Sequence, residues 1–169
     1  MGEQITGEID EDKDIDPMLA AVRKVIVDTQ VRADNGADLT EFTAKNVMVI
    51  PPEATASAID KAIQKAAAKS KGLALLIIGG SAKNPDTDAP GPQAVIDLEL
   101  QLYVHPALRK AGSKSPLELT VALMRGLHDA RIQVTGFPWY EEIRWLGYDT
   151  LPDDDFTAYS ISYERQMGF

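Results

Sequence analysis

The segment QAVIDLELQLYVHP, residues 93–106, alternates between apolar and polar side chains along nearly its whole length. Successive side chains of a β-strand point to opposite faces, so a period of two predicts one long strand. Such a strand has one face suited to a core and one suited to water, which favours an antiparallel sheet. Its two sets are Ile96, Leu98, Leu100, Leu102 and Val104 on one face, and Asp97, Glu99, Gln101, Tyr103 and His105 on the other.

Other segments predict helices and strands around this strand. Apolar residues at three-to-four spacing predict a helix over about 17–30, introduced by Asp16-Pro17. An Ala-rich helix is predicted over 57–72, with a capping box formed by Ser57 and Asp60. A full capping box, Ser115-Pro116-Leu117-Glu118, begins a third helix that runs to about residue 130. Further strands are predicted at 47–50, at 73–78, whose continuous apolar run indicates cover on both faces or a subunit contact, and in a C-terminal hairpin turned at 151–155.

The predicted order of elements is α-β-α-β-β-α-β-β. A cleanly alternating strand beside a hairpin indicates an α+β fold, a mostly antiparallel sheet with helices packed on one face. A crossover through helix 57–70 would pair strands 47–50 and 73–78 in parallel. Residues 1–15 are acid-rich with little apolar surface, which predicts a disordered arm before a single domain over 16–169.

Charge and cysteine content exclude several classes of function. A formal charge of −9 opposes a protein that grips nucleic-acid phosphates, because that function needs clustered Lys and Arg. The chain has no cysteine, so disulfides, thiolate catalysis and cysteine metal sites are excluded. No apolar run approaches the roughly 18–20 residues of a membrane span, and the acidic N-terminus is unlike a signal peptide. We therefore expect a cytosolic protein without a membrane partner.

Few residues are arranged for catalysis or metal binding. The only imidazoles, His105 and His128, lie on separate predicted elements without a carboxylate at ligand spacing. The acids around residue 15 lack the Gly and Glu of a calcium loop, and Asp153–Asp155 lies at a turn where acids make local hydrogen bonds. Residues 79–83 follow a strand as a phosphate loop does, but no helix follows them. We expect no catalytic, cofactor-binding or metal-binding residues, hence no enzyme and no cofactor.

Aromatic residues are concentrated in GFPWYEEIRWLGY, residues 136–148, which holds five of the chain's eleven. Trp and Tyr beside Arg are enriched at protein interfaces. Two glutamates in the same segment oppose stacking on single-stranded nucleic acid. The alternative is an ordinary core segment entering a strand. The candidate interface residues are Phe137, Trp139, Tyr140, Arg144 and Trp145.

Residues 47–169 resemble the tail terminator and tail-completion proteins of tailed phages, including those of Mu-like prophages. The resemblance lies in an apolar strand, a Pro/Asp/Gly-rich loop, a long alternating strand ending in YVHP, the capped helix SPLELTVALMRGLHDARI and a Trp-containing hairpin. It implies a non-enzymatic ring, usually a hexamer, that caps the tail tube and meets the head connector. Implied partners are other copies of the chain, tail-tube and head-connector proteins, and DNA that only passes through. The implied location is the bacterial cytoplasm during assembly and then the virion tail.

The polar side of the long strand supplies the second set of candidate residues. Asp97, Glu99 and Gln101 would face solvent or the lumen of a ring, where acidic walls repel passing DNA. The apolar side is expected to pack on helix 116–130. Two other functions stay open: a neck or head–tail joining protein, and a small-molecule binding domain or enzyme with a site scattered over Lys83, His105 and Arg144.

Overall fold

The computed structural model describes residues 17–28, 37–83, 95–128, 130–133 and 140–168. The predicted arm at 1–15 and most of the loop at 79–92 lie outside the described residues. No helix in the described ranges is long and apolar enough to cross a membrane. In chain order the elements are α1 Pro17–Val27, β1 Val47–Ile50, α2 Ala56–Lys69, β2 Leu73–Lys83, β3 Val95–Val104, a 3-10 turn at Pro106–Leu108, α3 Pro116–Leu127, β4 Arg131–Gln133, β5 Tyr140–Leu151 and β6 Thr157–Gly168.

The six strands form one sheet in the order β1-β2-β3-β6-β5-β4. β1 and β2 are parallel, as the predicted crossover through α2 requires, and every other pair is antiparallel. The predicted α+β class with a mostly antiparallel sheet is confirmed. β4 was not predicted, because three residues are too few to show a period.

The long strand, β3, lies in the middle of the sheet and forms ladders with β2 on one side and β6 on the other. Its apolar residues from Leu98 to Val104 are buried. They share one core cluster with Leu119, Leu123 and Leu127 of α3, so the strand packs on this helix as the sequence predicts. The helix face predicted from the spacing of Leu117, Val121, Met124 and Leu127 is wrong for Leu117, which is 48% exposed. Each buried leucine of this kind stabilises the fold by about 1.5–3 kcal/mol before entropic costs.

The helices cover both faces of the sheet, so the prediction that they pack on one face is wrong for α2. Leu75 and Ile77 of β2 belong to the core beneath α1 and α3. Their neighbours Ala74 and Leu76 point to the opposite face and pack with α2. The continuous apolar run of β2 is therefore buried on both faces, which is one of the two alternatives that the sequence leaves open.

Two helix N-termini show where local signals are reliable. Ser115 caps α3: its Oγ accepts a hydrogen bond from Glu118 N at 3.2 Å, and Pro116 follows as predicted. The box predicted at Ser57 is wrong, because the cap of α2 lies two residues earlier, at Thr55. There Thr55 Oγ1 accepts from Ala58 N at 3.1 Å. Threonine and serine both favour the cap position, and the backbone geometry at residue 55 decides between them.

Candidate functional site

The side of β3 that faces away from the main core continues across β6 and β5 as a polar surface. On this same side of the sheet, α2 packs over β1, β2 and the adjoining part of β3, and the polar surface begins where α2 ends. Arg144, Asp149 and Ser162 on the outer strands are exposed. Strand register places the side chains in rows across the surface. We call this surface the acidic face and define it by Asp97, Glu99, Gln101, Arg144, Asp149, Ser160, Ser162 and Glu164.

A chain of hydrogen bonds holds the middle of the acidic face. Glu99 Oε1 accepts from Ser160 Oγ at 2.6 Å and from Gln101 Nε2 at 3.0 Å. Gln101 Oε1 in turn accepts from the Tyr103 hydroxyl at 2.8 Å. Burial raises the pKa of Tyr103 above its ordinary value, and the nearby carboxylates of Asp153, Glu99 and Asp60 raise it further. Tyr103 therefore remains a donor, and the Glu99 carboxylate is held against the sheet.

Negative charge accumulates at the β3 side of this face. Asp97 lies directly opposite Glu164 on β6, and Glu164 lies opposite Arg144 on β5. The Arg144 guanidinium is 4.0 Å from the Glu164 carboxylate, and its side chain is 56% exposed, so the ion pair contributes little. Four carboxylates and one guanidinium leave the face acidic.

The aromatic segment does not form one surface where the structure describes it. Arg144 and Trp145 are successive residues of β5 and point to opposite faces. Arg144 belongs to the acidic face, whereas Trp145 packs against the core and donates its backbone N–H to His128 Nδ1 at 3.2 Å. Phe137 and Trp139 lie outside the described residues, as does the side chain of Tyr140. The core alternative fits Trp145.

The scattered small-molecule site is not assembled. Lys83 of β2 pairs with Val95, whereas the start of β2 pairs with Val104, next to His105. The two candidate residues are therefore at opposite ends of the sheet, about 30 Å apart along a strand of this length. Among the described residues, no group of three or more His, Cys, Asp or Glu is placed to hold a metal ion.

Comparison with known proteins adds no relative. No protein-family model, curated protein or solved structure matches this chain. The geometry of the chain itself therefore has to carry any functional proposal.

Sequence reasoning missed a second charged feature, a cleft of about 630 Å³ at the end of the sheet where β2 begins and β3 ends. Its walls are the segment before β1, the turn between α2 and β2, and residues 109–114. We call it the charged cleft. Five cations against two carboxylates leave it three positive charges in a chain of charge −9. These residues are Lys69, Lys71, Arg109, Lys110 and Lys114, with Asp38 and Glu41.

The walls of the charged cleft are tied together through Glu41. Its Oε1 accepts from Arg109 Nη2 at 2.7 Å, and its Oε2 accepts from the Lys114 backbone N–H at 3.0 Å. The Arg109 side chain is only 11% exposed and also donates to the Lys114 carbonyl at 2.8 Å. The buried Asn46 braces the opposite wall by donating to the Glu41 carbonyl at 2.8 Å. The cleft is therefore built before any ligand binds.

Asp38 at the rim of the charged cleft gives a prediction for acid stability. Hydrogen bonds from Thr40, followed by the bond from Lys114 Nζ at 3.1 Å, lower the pKa of Asp38 from 3.8 to about 2. Because the folded pKa is depressed, this contribution to stability is present above pH 4 and is lost as the pH falls toward 2. Asp38→Asn should lower the free energy of unfolding at pH 7 by less than about 1 kcal/mol, because the carboxylate is exposed. Between pH 4 and 2 the variant should lose less stability than the unaltered chain, because it has no carboxylate at this position to protonate.

Urea unfolding at pH 7, 4 and 2.5 measures this effect. Glu53→Gln is the matched control, because the Glu53 side chain is exposed and makes no hydrogen bond or ion pair in the described part of the chain. Identical pH profiles for Asp38→Asn and the unaltered chain would contradict the prediction.

Proposed function

We propose that this chain is a non-enzymatic structural protein of a tailed phage or prophage. It assembles as a ring, usually of six copies, completes the tail tube and joins it to the head connector. Its partners are other copies of itself, tail-tube proteins and connector proteins. It acts in the bacterial cytoplasm during assembly and then in the virion tail.

The acidic face is the observation that supports this proposal best. It spans three adjacent strands of a sheet whose other face is the main core. Hydrogen bonds from Ser160 and Gln101 fix the Glu99 carboxylate, so its negative charge does not swing away from the surface. A conduit for DNA benefits from fixed acidic walls, because repulsion of phosphates prevents the polymer from sticking. In the ring, this face lines the lumen.

Size measurement is the first test of the ring. Multi-angle light scattering and negative-stain electron microscopy of the purified protein, over a wide concentration range, should show a closed oligomer. A monomer at every concentration and salt level would contradict the proposal.

Charge reversal then tests the lumen. In the assembled ring, Asp97→Lys and Asp149→Lys should each increase retention of short double-stranded DNA at low salt, because each removes a repulsive charge and adds an attractive one. Fluorescence anisotropy of labelled DNA measures retention, and it should fall steeply as salt is added.

Glu53→Lys is the matched control, since Glu53 is exposed in the turn after β1 and the substitution changes the charge by the same amount. Rings that retain DNA equally with all three substitutions would show a general charge effect. Rings that retain no DNA after either substitution in the acidic face would contradict the proposal that this face lines the lumen.

A further inference from the structure

The turn between β5 and β6 carries a preorganised acidic tip, which we define as Asp153, Asp154 and Asp155. All three residues are exposed. Asp153 Oδ1 accepts from the backbone N–H groups of Asp155, at 3.0 Å, and Phe156, at 2.9 Å, which fixes the turn. The carboxylates of Asp154 and Asp155 make no hydrogen bond or ion pair with any residue in the described ranges. The tip therefore presents three carboxylates on a fixed turn, one held by backbone N–H groups and two without a partner in the described ranges.

The acidic tip and the charged cleft lie at the same end of the sheet. The last residue of β3, Val104, pairs with Leu73 at the start of β2 and with Thr157 at the start of β6. Leu73 lines the cleft, and Thr157 follows the tip. In the strand order the cleft lies beside β1, β2 and β3 and the tip beside β6 and β5, so the two features occupy neighbouring parts of this end of the sheet.

We infer that the charged cleft of one subunit binds the acidic tip of a second copy of this chain, and that this contact closes the ring. The inference rests on the proposed ring and names the surfaces that form it. Two different patches of the subunit meet, so the contact is head-to-tail. Such a contact gives a ring when the rotation between successive subunits closes, and an open filament when it does not, so the ring requires a closing rotation.

Charge complementarity favours the acidic tip as the group that binds in the charged cleft. Lys69, Lys71 and Lys110 make no side-chain hydrogen bond or ion pair within the described residues, whereas Arg109 and Lys114 already face Glu41 and Asp38. The excess of three positive charges in the cleft matches the three carboxylates of the tip.

The distribution of charged side chains in the cleft also favours a peptide ligand over a compact anion. The cations are spread over two walls of the cleft, and the carboxylates of Asp38 and Glu41 between them oppose a small, highly charged ion such as phosphate. A peptide turn with successive acids reaches both walls. The contact also offsets the repulsion between subunits that each carry −9.

A charge exchange tests the contact. The cleft variant carries Lys69→Glu and Lys110→Glu, and the tip variant carries Asp154→Lys and Asp155→Lys. Each variant alone should shift the midpoint of assembly to a protein concentration higher by about tenfold or more, measured by light scattering. An equimolar mixture should restore assembly, because the acidic cleft of one variant accepts the basic tip of the other around a ring with an even number of subunits.

The control is a variant with Lys24→Glu and Lys61→Glu, two exposed lysines outside the cleft, which should assemble like the unaltered chain. Circular dichroism and melting curves verify that every variant folds.

The outcomes separate this inference from the ring itself. Unaltered rings that persist in both single variants, or a mixture that stays dissociated, would overturn the cleft–tip contact and leave the ring standing. A chain that is monomeric under all conditions would overturn the ring and this contact with it. A rise in Tm with inorganic phosphate that the cleft variant abolishes, without any oligomer, would assign the cleft to a small anion instead.

Discussion

Replacing Leu100 by alanine is expected to lower the free energy of unfolding by about 3–5 kcal/mol, a large fraction of the stability of a domain of this size. Leu100 is fully buried on the central strand, and its partners in the two ladders, Ile77 and Ile161, are fully buried as well. Ladders on both sides hold the backbone in place, so the sheet cannot collapse into the cavity that the lost side-chain atoms leave. The expected loss therefore lies in the upper part of the range for such substitutions.

Leu117→Ala is the matched control, because it removes the same atoms from a side chain that is 48% exposed on α3. It should cost less than about 1 kcal/mol. Urea unfolding of both variants, with circular dichroism as the probe, measures the difference. Equal losses would show that the apolar side of β3 is not the centre of the core.

The parts of the fold that the sequence predicts well depend on neighbouring residues. β3 was predicted over 93–105 and is observed at Val95–Val104, because a period of two needs nothing beyond the strand itself. The cap at Ser115 is equally local. The face of the sheet on which α2 packs cannot be predicted from neighbouring residues. The apolar run of β2 has no period of two, so it does not indicate which helix covers which face. That information lies in contacts between distant segments.

The acidic face likewise combines residues that one segment of sequence reveals with residues that only the pairing of distant strands brings together. Asp97, Glu99 and Gln101 were found because they share one strand, whereas Ser160 and Glu164 join them only through the register of β6 against β3. The charged cleft was missed because its charged residues come from three separate segments, and the two that supply the cations each have an ordinary local interpretation as a helix end or a turn.

The interface predicted from the aromatic segment contained a signal that argues against it. Polar Glu142 and Arg144 alternate there with apolar Ile143 and Trp145, and this period of two separates Arg144 from Trp145. Composition suggested one surface, and the order of the residues divides them between two faces. For a segment inside a strand, the period is therefore a stronger guide than the composition.

The second large effect is expected at Gly72, where alanine should cost about 2–4 kcal/mol. Gly72 has φ of 82°, a conformation that costs a residue with a side chain about 1–2 kcal/mol. An added Cβ would also lie 2.7 Å from the His105 carbonyl oxygen, which is backbone and cannot rotate away. That backbone is held in turn, because the His105 N–H donates to the Gly72 carbonyl at 2.7 Å. Relief of the clash therefore requires the start of β2 and the end of β3 to separate.

Gly112→Ala is the matched control that separates the cost of the steric clash at Gly72 from the cost of its positive φ. Gly112 has φ of 85°, but an added Cβ would meet nothing within 4 Å, so only the conformational cost of about 1–2 kcal/mol applies. Thermal and urea unfolding of the two variants should differ by the cost of the backbone clash. Gly72 lies between Lys71 and Leu73, which line the charged cleft, and its carbonyl holds His105, the residue that leads from β3 toward the wall at 109–114. Gly72→Ala should accordingly weaken assembly at temperatures where the subunit is still folded, and Gly112→Ala should weaken it less. Equal effects on stability and assembly would show that the cleft walls are not held together at this glycine.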